Sequence, residues 1–313
     1  MSGNPTLPQR HPRGCGPPLS PFDARSSLAD LRSSLAISLG SKKARSFYFE
    51  SRSASMIDPE IRRFHELVAS ASRIVFFTGA GISTDSGIPD FRSPGGVWDR
   101  FKPIDFGDFM ASEEARIEAW RRKFETDKSI RRAKPNIAHT VIADLTDKKK
   151  GSCVITQNID GLHQASGVRG DRVIELHGNT TYAKCLRCQT RYALDPIRKA
   201  FEKSGRAPVC ECGGYIKTAT ISFGQAMPEA EMARAEDETR SCDLFIAIGS
   251  SLVVQPAAGF LAFAKHHGAK LAILNRDPTE FDRIADLTLH REIGPVMASL
   301  AQGRAALENA EEP

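Results

Sequence analysis

Short apolar runs punctuate the chain at Ile74-Val75-Phe76-Phe77, Val154-Ile155-Thr156 and Val173-Ile174-Glu175-Leu176. Others follow at Leu244-Phe245-Ile246-Ala247-Ile248, Leu271-Ala272-Ile273-Leu274 and Leu287-Thr288-Leu289. They are rich in aliphatic, β-branched and aromatic residues, and the first is closed by glycines. Such runs predict strands buried on both faces, as in a parallel sheet. Between several of them apolar residues recur at helical spacing, near residues 57–72, 136–146 and 256–267. In the first of these, Ile57, Ile61, Phe64, Leu67 and Val68 share one face. Strand alternating with helix predicts an α/β fold, a doubly wound Rossmann-like parallel sheet.

Two stretches break that rhythm. Residues 99–138 are charged and helical in pattern, and residues 183–216 hold Gly, Pro and four clustered cysteines. Both read as insertions, one helical and one metal-binding, that form a smaller domain over the strand ends. The Rossmann-like domain is then expected from residues 56–98, 139–182 and 217–304, with a C-terminal tail at 305–313. No internal repeat is found.

Composition sharpens the picture at the N-terminus. The apolar set is 41%, and 24 glycines bring it to about half, so a sizeable core is expected. Residues 1–55 differ: they hold twelve serines, eight basic residues and only three acidic ones. Their low apolar content predicts a disordered tail. That tail carries the whole net charge of +5, because the other 258 residues hold 35 charges of each sign. The basic balance is therefore no argument for a nucleic-acid surface on the folded part. No run approaches the roughly 18 apolar residues of a membrane span, so no membrane partner is expected. Residues 1–21 lack a continuous apolar core and carry six prolines, which argues against a secretory leader. Met56, directly before the first helical pattern, offers an alternative start. Cytoplasm is the expected compartment. The alternative is a mitochondrial address, since residues 23–55 are basic, Ser-rich and poor in acids.

Three features carry chemistry. Gly79-Ala80-Gly81-Ile82-Ser83-Thr84 follows a predicted strand and should open a helix, a place where backbone N–H groups meet a pyrophosphate. A tight strand-to-helix turn would use the same residues, and Thr84 replaces the third glycine of the usual fingerprint. Cys185-x2-Cys188 and Cys210-x-Cys212 are separated by 21 residues. That is close to a zinc ribbon, whose four thiolates would close the site and make the metal structural. Free thiols are the alternative, and the short second pair departs from the usual spacing. Thr156-Gln157-Asn158-Ile159-Asp160 and His177-Gly178 end two predicted strands, where side chains face the ligand crevice. His177 suits general-base work there. Such a histidine can equally be structural. His139, His163, His266 and His267 lack comparable company.

Together these segments resemble the sirtuins, the NAD-dependent protein lysine deacylases. The match also takes in Gly87-Ile88-Pro89-Asp90-Phe91-Arg92, Ile221-Ser222-Phe223-Gly224 and Gly249-Ser250-Ser251-Leu252, in the family's order, over about residues 57–300. The resemblance implies that Gly79, Ala80, Gly81 and Ser83, with Gly249, Ser250, Ser251, Asn275 and Arg276, hold NAD, which is consumed as co-substrate. Asp90, Phe91 and Arg92 would lie in a loop over the nicotinamide ribose. Asn158, Ile159 and Asp160 would line the nicotinamide pocket, with Gln157 on the ribose. His177 would be the general base, assisted by Asn158. Cys185, Cys188, Cys210 and Cys212 would hold one structural zinc. An acyl-lysine protein would pair its backbone near Phe223, Gly224 and Val253. The products would be free lysine, nicotinamide and O-acyl-ADP-ribose.

Members that prefer acidic acyl groups carry a Tyr and an Arg three apart in the helical insertion. Trp120 and Lys123 stand at about those positions, so uncharged acyl groups, acetyl above all, are expected. Mono-ADP-ribosyl transfer or NAD hydrolysis in the same crevice is the alternative activity. A non-catalytic nucleotide-binding module is a third reading, opposed by the intact set of Asn158, Asp160 and His177.

Overall fold

The computed structural model describes residues 58–149 and 152–311. The expected tail at 1–55 and the possible start at Met56 lie outside them. Six strands form a parallel sheet: β1 (Ile74–Thr78), β2 (Cys153–Thr156), β3 (Val173–Glu175), β7 (Leu244–Ile248), β8 (Lys270–Leu274) and β9 (Leu287–Leu289). Their order is β3-β2-β1-β7-β8-β9. β1 pairs in parallel with β2 on one side and β7 on the other. The doubly wound α/β expectation holds, and the apolar runs became the strands.

Alternation along each strand feeds two cores. Ile74 and Phe76 of β1, with Ile246 and Ile248 of β7, pack under the helices Pro59–Ser70, Ile137–Lys148 and Ile293–Glu311. Val75, Phe77, Phe245 and Ala247 point the other way, against the helices Glu229–Ser241 and Gly259–His266. A strand covered on both faces cannot alternate with polar residues, which is why these runs are continuously apolar.

The remaining strands, β4 (Gly178–Cys185), β5 (Arg191–Ala193) and β6 (Ile216–Thr220), make a separate antiparallel sheet in the order β5-β4-β6. The helix Glu113–Arg132 lies against it, with Trp120 and Phe124 in a small core beside Ala183, Cys185, Ile197 and Ile216. The two insertions thus pack as one body. Its sheet starts earlier than residue 183 and ends later than residue 216. The final helix continues to Glu311, across the expected boundary at 304.

Sheet order reverses between β1 and β7. Chains leaving these neighbouring strands diverge, which opens a crevice at their C-terminal ends. The site lies there.

Candidate active site

The crevice is a cavity of about 640 Å³ between the parallel sheet and the small body. Its floor is made by two glycine turns. Gly81 N–H donates to the Gly249 carbonyl at 2.8 Å, and Gly79 N–H to the Ile248 carbonyl at 3.0 Å. A Cβ on Gly79 would sit 2.7 Å from the Gly249 oxygen, and one on Gly81 2.8 Å from the Gly249 Cα. Gly249 itself holds φ +63°. Backbone touches backbone, so side chains are excluded for a physical reason. The expected helix after Gly79 is a seven-residue 3-10 helix, Ala80–Ser86, stopped by left-handed Gly87. Gly79, Ala80, Gly81, Gly249, Ser250 and Ser251 line this floor.

The end of β2 supplies the polar wall. The Gln157 side chain donates to Ser250 Oγ at 2.8 Å. Asn158 Nδ2 donates to the Gly79 carbonyl at 3.0 Å and reaches Ser83 Oγ at 3.3 Å. Gln157, Asn158 and Ile159 line the cavity. Ser83 and Asp160 stand behind that lining, joined by a 2.8 Å bond from Ser83 Oγ to Asp160 Oδ2. Asp160 Oδ1 also accepts from Leu162 N–H.

His177 adjoins this wall and lines the same cavity. Its Nδ1 is 3.0 Å from the Gln157 carbonyl oxygen. A carbonyl only accepts, so Nδ1 carries the proton and Nε2 is left with a lone pair. Burial pushes the imidazole pKa down, the Gln157 carbonyl pushes it up, and burial wins. His177 is therefore neutral at pH 7, the form a base requires.

A loop over the crevice is built on Asp90, whose carboxylate accepts from Arg92 N–H, Ser93 N–H and Ser93 Oγ. Arg92 stacks 4.2 Å above the Trp98 ring. Trp98 also bridges Phe91 and Phe223, with centroid distances of 5.7 and 5.8 Å. Trp98 lines the cavity and was missed in the sequence. Being one of only two tryptophans, beside Gly95-Gly96, was its only signal. Asp90, Phe91, Arg92, Asn275 and Arg276 line the cavity, with Arg276 reaching Ser93 Oγ at 3.4 Å. Phe223 and Gly224 form the opposite lip. Val253 is 56% exposed and lies outside the cavity lining, next to Val254, which is on it.

The four thiols converge. The sulfur atoms of Cys185, Cys188, Cys210 and Cys212 all lie within 4.8 Å of one another. Cys185 is 3.5 Å from Cys212, and Cys188 is 3.6 Å from Cys210. Four thiolates at about 2.3 Å from a tetrahedral zinc stand about 3.8 Å apart, so the cluster fits that metal. The short Cys210-x-Cys212 pair brings both its sulfurs into the group. Trp120 and Lys123 do not reach the main crevice. Trp120 is in the small core and donates to the Ile216 carbonyl, and Lys123 is bonded to Asp127 at 2.7 Å.

Comparison with known proteins returns one consistent group. The model of the Sir2 family matches residues 79–256. NAD-dependent protein deacetylase 1 of Bradyrhizobium diazoefficiens is 55% identical over 245 residues, 78% of this chain and 96% of that protein. The NAD-dependent protein deacetylase of Rhodopseudomonas palustris is 53% identical, again over 78% of this chain and 97% of the relative. The solved structure described as Sir2-p53 peptide-NAD+ superposes with TM-score 0.70 at 35% identity, covering 79% of this chain and 99% of that one.

Proposed function

The chain belongs to the Sir2 family, and from that premise we propose how its crevice carries out NAD-dependent removal of acyl groups from protein lysines. The protein is an NAD-dependent protein deacylase, with NAD as co-substrate and a structural zinc. Bound NAD supplies an electrophilic ribose carbon whose leaving group is nicotinamide. The residues around it do the rest.

Gly79, Ala80 and Gly81, with Gly249, Ser250 and Ser251, present a floor of backbone and small side chains to the pyrophosphate and adjoining ribose. Asn275 and Arg276 hold the adenosine side. Asn158 and Ile159 face nicotinamide, Asp160 backs that wall in a bond from Ser83, and Gln157 meets the reacting ribose. Asp90 shapes the loop that carries Phe91 and Arg92 over it. His177 Nε2 takes the proton from a ribose hydroxyl. The 3.0 Å contact of its Nδ1 with the Gln157 carbonyl, inside the cavity that both glycine turns line, is the observation that carries this assignment.

The acyl-lysine chain lies between Phe223-Gly224 and Val253-Val254 as an added strand. Holding both reactants in line supplies much of the rate. Uncharged acyl groups suit the site, because Lys123 lies outside the cavity lining, paired with Asp127. We assign the enzyme to the cytoplasm, where thiols stay reduced for metal binding.

One experiment tests these roles. Purified protein and its His177→Ala variant are given NAD and a panel of acyl-lysine peptides, followed by mass spectrometry. Equal amounts of nicotinamide, acetyl-ADP-ribose and free lysine are expected, falling about 10²–10⁴-fold in the variant. Undiminished deacylation by the variant would remove His177 from its role. Faster turnover of succinyl-lysine than acetyl-lysine would overturn the acyl assignment.

A further inference from the structure

Two buried imidazoles behind the crevice have no part in the chemistry above. His139 and His163 are 0% and 1% exposed, and their ring centroids are 5.0 Å apart. His139 Nε2 and His163 Nδ1 have no hydrogen-bond partner among the described residues. Apolar residues would fill this space without leaving polar atoms unsatisfied, which is costly in a buried site. A compensating use of the other two nitrogens is therefore called for, and the bonds show it.

Thr78 Oγ1 donates to Thr156 Oγ1 at 2.8 Å and lies 2.9 Å from His163 Nε2. A hydroxyl has one proton. Since Thr78 gives its proton to Thr156, the imidazole must donate to Thr78, so His163 carries its proton on Nε2. Thr156 Oγ1 also accepts from the Asn158 N–H at 3.0 Å. The chain thus runs from His163 through Thr78 and Thr156 to the backbone of Asn158. The intervening residue, Gln157, contributes the carbonyl that holds His177 Nδ1.

His139 performs the matching task on the other wall. Its Nδ1 is 3.0 Å from Asn136 Oδ1. The Asn136 amide then donates to the Ile82 carbonyl at 2.8 Å and to Ser86 Oγ at 3.0 Å, inside the 3-10 helix of the glycine turn.

Accepting the deacylase reading, we infer that His163 is a positioning residue: through Thr78 and Thr156 it sets the place of Gln157 and Asn158, and hence both the nicotinamide wall and the orientation of the base. It touches neither substrate nor the cavity. Burial keeps both imidazoles neutral, pushing His163 down to about 3 and His139 to about 4, so the donor pattern holds across working pH.

The test uses steady-state kinetics in NAD together with nicotinamide–NAD exchange, both normalised to titrated active sites. His163→Leu and Thr78→Val break the chain; Thr78→Val keeps the side-chain shape. His163→Gln and Thr78→Ser retain a donor or a hydroxyl. The first two are expected to raise KM for NAD and lower exchange by about tenfold, the scale of one lost hydrogen bond. The conservative pair should stay within about threefold of the parent. A role in stability alone would lower melting temperature and leave per-site KM and exchange unchanged, and that result in Thr78→Val would overturn the inference. Parent protein that releases no nicotinamide from NAD would instead overturn the deacylase reading beneath it, and the inference with it.

Discussion

Every residue of β1 and of β7 is buried, whereas β5 has none fully buried and β4 mixes buried with exposed positions. The large sheet is clad on both faces by helices, and two apolar cores hold it. The small body has one core of eight buried residues, two of them the thiols Cys185 and Cys210. Its sheet is short, and the helices Glu113–Arg132 and Leu194–Ser204 share that single core with it. A region of that size lacks the apolar area to order itself, and a metal cross-link makes up the difference. The cleft between the two needs both. The large sheet supplies rigid turns for the dinucleotide, and the small body carries the lip at Phe223 and Gly224.

Removing the metal should separate the two regions most sharply. Cys185→Ser, or chelation of the zinc, is expected to unfold the small sheet and abolish deacylation, while amides of β1 and β7 keep their hydrogen-exchange protection. Protection of β4 and β6 surviving metal loss would erase the contrast. A smaller effect is expected within the small body. Asp127 is 3% exposed at its side chain and takes bonds from Lys123, Arg131 and Arg198. Asp127→Ala leaves Lys123 buried without its partner and should cost about 3 kcal/mol of stability, read by denaturant unfolding of the zinc-loaded protein. A loss under about 0.5 kcal/mol would show a region more relaxed than its packing implies.

The gentlest probe concerns the junction. His177 is held below the ordinary imidazole range by burial. It stays neutral on the acid side of about pH 6.5, so the acid limb of kcat/KM should fall below that value. An acid limb at 6.5 would mean that water reaches His177 as freely as it would an unfolded chain, and one above it that a partner stabilises the charged ring.

The same contrast decides what could be read from sequence. Strands buried on both faces write themselves as apolar runs, so the large sheet was legible. β4 reads Gly-Asn-Thr-Thr-Tyr-Ala-Lys-Cys, half-polar although Asn179 and Thr180 are buried and only Thr181 is exposed, and its partner β6 lies far along the chain. The helix Glu229–Ser241 also escaped, since only Ala235 and Thr239 are buried along it. The site was legible where side chains cluster in short motifs at strand ends. His163 was not, because Thr78 and Thr156 become its company only after β1 pairs with β2, and His139 was read without its local cap partner Asn136 three residues before it. Local spacing gives no view of that strand pairing.

The small sheet is tied to the large one at a narrow stem. Ile221 N–H donates to the His177 carbonyl, so the strand leaving the sheet is fastened to the residue that precedes its entry. Gly178 follows at φ +71°, where a Cβ would fall 2.0 Å from the Ala219 oxygen. That stem mounts the base where the two sheets meet. The His177 carbonyl is bonded to the strand leaving the small sheet, and its ring to the Gln157 carbonyl just beyond β2. The imidazole is thus moored at both ends, one line to each sheet, and its aim records how the two are set against each other.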